Sequence, residues 1–454
     1  MASRIKNMTE GKPISLIFTF ALPLMIGNVF QQLYTVVDTM VVGNALGVGA
    51  LAALGSSDWL NWLMLGLIQG FTQGFAILMA RQFGANRHEE LRDVVGASAI
   101  LAVISAAVLL VLGQLCARPV LELLQTPQEI MDDALLYLRI IFAGVPIVMA
   151  YNYFASILRA LGDSQTPLNA MIVASLVNIV LDLLFVLGFQ WGIAGAAIAT
   201  VIAQAGSGVF CMLRIRRIEM LKMSRENFRL GFAMAKQLLV LGFPMAFQNA
   251  VISVGGMIVQ FVVNGFGVIF IAGFTATNKL YGILEIAATS YGYAMITYVG
   301  QNLGAGRTDR IREGTRAANL VAVLTSVVIG VAMFLFGRGI LSWFISGTPE
   351  EINQTLQIAY YYLAVMSAGL PILYILHVTR SVIQGMGNTV LPMVSGMAEF
   401  IMRTAAAITL PLLLGETGVF YAEPLAWIGA DCVLIPSYFI TIKKLEKQLN
   451  SGKK

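Results

Sequence analysis

The feature that most constrains this chain is its first apolar segment, residues 14–42, which holds the acid Asp38 within an otherwise membrane-like run. At about 1.5 Å rise per residue, a helix of this length can cross a hydrocarbon core of roughly 30 Å. A carboxylate inside a bilayer is costly, so Asp38 predicts a functional site. Pro23 lies in the same segment and lacks a backbone N–H, which predicts a hinge in the helix.

The same predicted helix carries a polar stripe. Gln31, Tyr34 and Asp38 follow one another at spacings of three and four residues, so they share one helical face. Leu, Val, Ile and Phe fill most of the other positions. Because polar side chains in a membrane helix face protein or a cavity and not lipid, we expect the stripe to line a cavity.

Composition indicates a polytopic membrane protein. Of the 454 residues, 58% are hydrophobic and only 12% are charged, which is too few to coat a soluble globule of this size. The net charge of +5 is explained as a membrane orientation signal and predicts no nucleic-acid partner. The three cysteines lie in separate apolar segments without metal or redox spacing, so neither a disulfide framework nor a metal centre is expected.

Apolar runs separated by polar, Gly or Pro clusters predict an all-α fold of twelve transmembrane helices. The segments lie near 14–42, 50–80, 92–116, 133–158, 167–189, 192–214, 237–262, 268–300, 313–338, 353–384, 391–414 and 419–442. Residues 214–236 are polar and rich in Arg and Lys, and they separate six segments from six. We therefore divide the chain into an N-terminal lobe (1–213), a cytoplasmic linker (214–236) and a C-terminal lobe with a basic tail (237–454).

The two halves repeat one another. Pro23 of the first half corresponds to Pro244 of the second, and the segment 81–87 recurs in similar form at 301–307. Internal repeats of this kind are typical of transporters. Since each half has an even number of helices, the repeats run parallel, and we expect two pseudo-symmetric six-helix lobes around a central cavity.

Basic residues predict the orientation. They crowd the N-terminus, the linker, the segments 81–92 and 307–316, and the tail from Lys443. Cytoplasmic loops carry the excess of Lys and Arg, so both termini are expected in the cytoplasm, with the protein integral to the plasma (inner) membrane. The first apolar run is longer than a signal-peptide core, and we expect no cleavage.

A second intramembrane acid lies on the fifth predicted helix. Asn178 and Asp182 are four residues apart and share a stripe. Asp182 lies roughly 22 Å from the start of its helix, in the outer part of the span where Asp38 also falls, and Thr200 reaches a similar level. Two carboxylates, an amide and a hydroxyl suit a proton or a hard cation such as Na⁺. The alternative is that both acids only hold helices together, which is an expensive device in a membrane.

The second half carries different polar residues. Glu399 and Arg403 are one turn apart, which favours a structural salt bridge over a role in transport. Glu285 shares a stripe with Asn278 and Tyr281, and either a substrate contact or a structural role is open to it. Three further charged residues are interpreted as packing or interface residues, namely Asp58, Arg380 and Asp431.

These features together resemble the multidrug and toxic compound extrusion (MATE) family of efflux transporters. The resemblance rests on the two six-helix halves, the proline in the first span, Gly-Ala-x-Arg after the second and eighth spans, and Gly-Asp or Gly-Asn followed by Pro before the fifth and eleventh. In one branch of the family the coupling ion binds in the N-terminal lobe, and its motif positions match Asp38, Asn178, Asp182 and Thr200. Another branch has a Glu on the seventh helix and Asp residues on the tenth, and this chain lacks both sets. By the same resemblance, the drug cavity would be lined by Gln31, Tyr34, Asn152 and Met171.

The resemblance implies a secondary antiporter, in which two lobes alternate access and amphipathic compounds leave the cell against Na⁺ or H⁺. The chain is expected to be a monomer. The expected partners are these compounds and membrane lipids, and no cofactor is expected beyond the coupling ion. The sequence has no Walker-type loop, so ATP is not expected to drive transport directly. A flippase of lipid-linked precursors is the alternative, although it should have a more basic cavity. An intramembrane enzyme or receptor is the second alternative, but no catalytic constellation supports it.

Overall fold

The computed structural model describes residues 5–345 and 348–451, and these fold into thirteen α-helices without a β-strand. Residues 452–454 of the predicted basic tail lie outside the described residues. The helices are α1 (Pro13–Leu46), α2 (Val48–Gly84), α3 (His88–Leu123), α4 (Gln128–Ala143), α5 (Val145–Ala160), α6 (Gln165–Asp182), α7 (Gly192–Arg216), α8 (Phe232–Val263), α9 (Val268–Gly304), α10 (Thr308–Leu341), α11 (Pro349–Gly385), α12 (Val390–Leu414) and α13 (Ala422–Ser451).

These helices confirm the predicted all-α membrane fold. Within the described ranges, ten helices are each long and apolar enough to span a membrane, and the bent pair α4 and α5 adds an eleventh span. Helix α9 has 37 residues, but Asn278, Lys279 and Glu285 make it less apolar than its neighbours. Together these helices correspond to the twelve segments that the sequence predicts.

The predicted segment 133–158 differs from the others because it is broken into α4 and α5, which meet at 47°. Gly144 lies at the break and Pro146 stands in the first turn of α5. Proline cannot donate to the preceding turn, and glycine at the junction has no side chain to pack there, so the ladder ends and restarts.

The chain packs as two compact units. One unit holds Leu22–Ala250 and a short N-terminal segment that ends at Met8, and the other holds Thr9–Ala21 and Val251–Lys454. The change from one unit to the other therefore falls inside α1, next to Pro23, and inside α8. The boundaries between the packing units therefore lie at different residues from the predicted linker at 214–236. The predicted lobe boundaries 1–213 and 237–454 stay a prediction.

The linker packs on the first unit. Its two short 3₁₀ turns, Glu219–Leu221 and Arg225–Asn227, follow α7, and the Asn227 side chain donates to Asp93 Oδ1 on α3 at 2.8 Å. Gly96 of α3 lies directly against the carbonyl of Asn227, where a Cβ would collide with it. The polar linker is therefore held against α3 by these contacts.

Close packing of α2 on α8 also belongs to the first unit. Gly70 and Gly74 of α2 lie against the α8 backbone at Ala246 and Gly242, where neither leaves room for a Cβ. Small residues permit such close backbone approach between membrane helices. Asn249 of α8 reinforces the contact by donating to the Gly66 carbonyl at 2.9 Å.

Candidate ion and substrate site

The first unit brings the two predicted intramembrane acids together. Asp38 on α1 is only 7% exposed, and Asp182 at the end of α6 is completely buried. Their charges are close enough to repel one another. Among the described residues, no hydrogen-bond donor reaches Asp38 Oδ1 or either carboxylate oxygen of Asp182. Buried carboxylates are costly unless they are paired, so this arrangement favours binding of a proton or a cation.

Asn178 lies one turn before Asp182 and is also buried without hydrogen-bond partners among the described residues. It is buried, and neither its amide nitrogen nor its amide oxygen has a hydrogen-bond partner in the described part of the chain. Directly after Asp182 the helix changes to a π-helical turn, Leu183–Gly188. Such turns widen the backbone ladder and occur frequently at functional sites.

Thr200 lies on α7, which packs against α6. Its hydroxyl donates to the carbonyl of Ala196 at 3.1 Å, so the proton is used within its own helix. The oxygen still has lone pairs that can accept a proton or bind a cation. The structure thus places Asp38, Asn178 and Asp182 in one unit with Thr200 on a neighbouring helix, and the role of the four residues stays a prediction.

Asp58, on α2, acts electrostatically on Asp38. The sequence interpretation gave it a packing or interface role, which stays a prediction. Its side chain is exposed. Tyr137, on α4, is buried and lies within the electrostatic reach of Asp38, Asp58 and Asp182. No helical spacing connects these residues, because they come from four different helices.

Gln204 is a further polar residue that sequence reasoning missed. It lies one turn after Thr200 on α7, and its buried side-chain oxygen has no donor among the described residues. Its side chain is within hydrogen-bonding reach of the Tyr34 hydroxyl. The spacing of four residues from Thr200 was the signal that could have identified it.

The predicted substrate residues divide into two groups. Tyr34 and Gln31 lie one turn apart on α1, within hydrogen-bonding reach of each other, and Tyr34 also interacts with Asp38. Met171 is buried on α6 beside Gly27 of α1, so it belongs to the same helix pair.

Asn152 is different, because its amide donates to the Val148 carbonyl of its own helix at 2.9 Å. No described contact joins Asn152 to the two acids, and the roles of all four substrate residues stay predictions.

Pro23 lies inside α1, which continues as one helix from Pro13 to Leu46. Proline has no N–H, so Pro23 cannot make the helical hydrogen bond to the turn before it. Pro23 stands two residues after Ala21, where α1 passes from one packing unit to the other. The weakest point of the helix ladder therefore coincides with the change of packing partner, which is the position expected for a hinge.

The second unit contains a buried chain of alternating charges. Glu399 accepts from Arg380 at 2.6 Å and from Arg403 at 2.8 Å, and Arg403 also donates to Glu423 at 2.8 Å. A further bond runs from Arg403 to the Ile252 carbonyl at 3.3 Å. The predicted Glu399–Arg403 salt bridge is confirmed, and it is part of a larger neutral network. Each charge has a partner, as buried charges require.

Glu285 and His377 form a more open pair in the same unit. His377 Nε2 lies 3.3 Å from Glu285 Oε1, and both side chains are partly exposed. Asn278, on the same stripe as Glu285, accepts from the Tyr362 hydroxyl at 3.3 Å. Asp431 is buried with one carboxylate oxygen unpartnered in the described part of the chain. Among the described residues, no group of three or more His, Cys, Asp or Glu is arranged to hold a metal ion.

A protein family and several known proteins match this chain in sequence. The MatE family model matches residues 23–184 and 244–409, which begin at the two prolines of the internal repeat. The probable multidrug resistance protein YpnP of Bacillus subtilis is 27% identical over 437 residues, covering 95% of this chain and 96% of the relative. YoeA of the same species, also a probable multidrug resistance protein, is 30% identical over 354 residues, covering 76% and 75%. An FAD transporter of Shewanella oneidensis is 22% identical over 348 residues, covering 74% and 75%.

Solved structures support the same fold. A MOP superfamily transporter from Pyrococcus furiosus, described by the reversed polarity of its binding pocket, superposes with a TM-score of 0.91 at 21% identity, covering 98% of this chain and 99% of the other. An outward-facing multidrug resistance MATE family transporter of that superfamily superposes with a TM-score of 0.89 at 21% identity and the same coverage. At this level of identity the likeness establishes the two-lobed helical fold alone.

Proposed function

Because this chain belongs to the MATE family of efflux transporters, we propose that it exports amphipathic small molecules by antiport with a monovalent cation, Na⁺ or H⁺. Family membership makes it an integral membrane transporter and not an enzyme. The relatives that it matches include multidrug resistance proteins and an FAD transporter. Organic molecules of varied size are therefore the substrate class that the comparisons favour.

The observation that carries the proposal is the unsatisfied state of Asp182. Both of its carboxylate oxygens lack a donor among the described residues, and it lies within reach of the Asp38 charge and one turn from the equally unsatisfied Asn178. A coupling site must hold its ion in one state and release it in another. The side-chain oxygens of Asp182 accept no hydrogen bond from the described residues, so they are available to bind and release an ion.

Asp163 in the same unit gives a useful contrast. It is also completely buried, but it accepts from the Thr166 backbone at 2.9 Å and the Thr166 hydroxyl at 2.6 Å, and Arg214 lies 3.6 Å away. Asp163 therefore has the partners expected of a structural acid. The lack of such partners at Asp182 supports a role beyond holding helices together.

Substrate and ion can compete in this arrangement. Gln31, Tyr34 and Met171 lie on the same helices as Asp38 and Asp182, so a cationic or aromatic substrate bound among them would sense the state of the acids. Antiport needs such linkage, and its strength is limited by the difference in affinity between the two states. Bending of α1 at Pro23 is the conformational step that we assign to this exchange.

We infer that both termini are cytoplasmic and that the membrane is the plasma (inner) membrane, because Lys and Arg crowd the loops on one side. The coupling ion is the only cofactor in the proposal. A single chain contains both the ion residues and the substrate residues, so a monomer suffices for transport.

Flux into proteoliposomes tests the proposal. The full-length chain is reconstituted, a Na⁺ or H⁺ gradient is imposed in separate arms, and uptake of a fluorescent organic cation such as ethidium is followed. We expect one gradient to drive uptake by the wild-type chain, and Asp182→Asn to reduce that uptake to the level obtained without a gradient. The amide keeps the shape of the side chain but cannot carry the titrating charge.

Glu129→Gln is the matched control, because Glu129 is an exposed acid in the first turn of α4. It should transport like the wild type. The proposal fails if the Asp182→Asn protein inserts normally and keeps full gradient-driven uptake, or if neither gradient stimulates the wild-type chain.

A further inference from the structure

A cavity of about 500 Å³ in the second unit is lined by α10, α11 and α13. The α10 wall is polar and includes Arg312, Arg316 and Asn319, whereas the α13 wall is largely apolar and includes Ile435 and Phe439. Both walls follow helical spacings of three, four and seven residues, so each is one continuous face. The cavity thus has one polar side and one apolar side along its length.

The charged end of the cavity is fixed by an ion pair. Arg312 Nε lies 2.7 Å from Glu446 Oε1, which joins the start of α10 to the end of α13. Arg316, one turn further along, is exposed and pairs with no carboxylate among the described residues. It lies about 12 Å from the start of α10, near the boundary between the polar end and the apolar part of that helix. An uncompensated guanidinium at such a depth is a binding group for phosphate.

Other polar groups of the lining are also unused. The hydroxyl groups of Thr379 and Tyr438 make no hydrogen bond within the described part of the chain, and Thr379 is buried. Asn319 uses its nitrogen to bond the Thr315 carbonyl at 3.1 Å, but its buried oxygen has no donor. The cavity therefore offers a guanidinium and two hydroxyl donors beside one amide acceptor.

The apolar wall is open to the membrane. Phe439 is 55% exposed and Ile435 is 43% exposed, on a helix that spans the hydrocarbon region. Such side chains contact acyl chains readily. A transmembrane helix of another protein fits less well, because its apolar surface would leave Arg316 without a counter-charge in a dehydrated contact.

We propose that this cavity binds one anionic phospholipid with a hydroxyl-bearing headgroup, of the phosphatidylglycerol type. Its phosphodiester lies against Arg316, Thr379 and Tyr438, and a headgroup hydroxyl donates to Asn319. One acyl chain follows the apolar wall formed by Ile435 and Phe439. The site lies at the end of the bundle that Lys and Arg predict to be cytoplasmic, where anionic lipids attract basic residues.

Native mass spectrometry tests this assignment. The full-length chain in a mild detergent is titrated with phosphatidylglycerol, and in a parallel arm with phosphatidylcholine of the same acyl chains. We expect preferential retention of phosphatidylglycerol, and a loss of about fivefold in its affinity for Arg316→Gln, as expected for one basic side chain near a membrane surface. Arg217→Gln removes an exposed arginine that does not line the cavity, and it should retain the lipid like the wild type.

A second variant tests the apolar wall without touching the charge. Ile435→Trp fills the groove, and it should also lose the lipid while Arg316 remains. Equal retention of the two lipids, or unchanged retention in both Arg316→Gln and Ile435→Trp, would overturn the proposal. Displacement of the lipid by millimolar inorganic phosphate would assign the polar end to a free anion instead, and a co-purifying polypeptide that protects the cavity residues would assign it to a protein partner.

Discussion

Replacing Glu399 with Gln is expected to destabilise the second unit strongly. Glu399 is the central acid of the buried chain Arg380–Glu399–Arg403–Glu423, and it holds Arg380 at 2.6 Å and Arg403 at 2.8 Å. Arg403 would keep Glu423, but Arg380 would have no other carboxylate within salt-bridge distance among the described residues. Its side chain is buried, so water cannot replace the lost partner.

The expected magnitude follows from this difference between the two arginines. Removing one partner of a buried ion pair and leaving the other charge uncompensated costs about 3 to 5 kcal/mol. Glu423→Gln removes the terminal acid, yet Arg403 retains Glu399. The cost should therefore be about 1.5 to 3 kcal/mol, the range for a lost hydrogen bond to a charged group. Glu399→Gln should therefore be clearly the more harmful of two chemically identical changes.

The full-length chain is heated in detergent to a series of temperatures, and size-exclusion chromatography measures the fraction of protein that stays monodisperse. The temperature at which half of the monodisperse protein is lost should fall most for Glu399→Gln and less for Glu423→Gln. It should not fall measurably for the control Glu350→Gln, because Glu350 is an exposed acid at the start of α11. Adding Arg380→Gln to Glu399→Gln should recover part of the loss, because it removes the unpaired charge. Equal losses at Glu399 and Glu423, or strictly additive losses in the double variant, would refute this reasoning.

Three further changes test the first unit and the linker. Asp38→Asn should abolish the dependence of ethidium flux on the ion gradient while ethidium binding, measured by fluorescence titration, persists. Pro23→Ala restores a backbone hydrogen bond of about 1 kcal/mol and stiffens α1, so turnover should fall about fivefold with little change in substrate affinity. Asp93→Ala removes the acceptor of the Asn227 side chain, so trypsin should cut the linker faster than in the wild type when it is added on the cytoplasmic side. Unchanged ion dependence, unchanged turnover, or faster cutting only from outside would each contradict the corresponding prediction.

The helices were predictable because their signals are local. Length and hydropathy alone identify the membrane segments, and the spacing of four residues between Glu399 and Arg403 reveals their salt bridge. Arg380 lies 19 residues before Glu399 on another helix, so no periodicity could connect them. The same limit hid the interaction of Asp58 with Asp38, because the two residues lie 20 positions apart on different helices. Sequence patterns show which face a residue occupies, and tertiary packing decides which faces meet.

The contrast between the two units supports coupling in the N-terminal half. In the second unit, Glu399 and Arg403 are satisfied by each other and by their neighbours, so no exchangeable cation is needed to balance them. In the first unit, the oxygens of Asp182 and the amide of Asn178 have no protein partner among the described residues. Polar groups that a fold leaves unsatisfied at a buried position are expensive, and they persist where a bound species repays that cost during function. A transporter that used the Glu399 cluster for coupling would have to break the two short ion pairs of Glu399 in every cycle. The proposed site around Asp182 would release an ion without breaking any ion pair of the described residues.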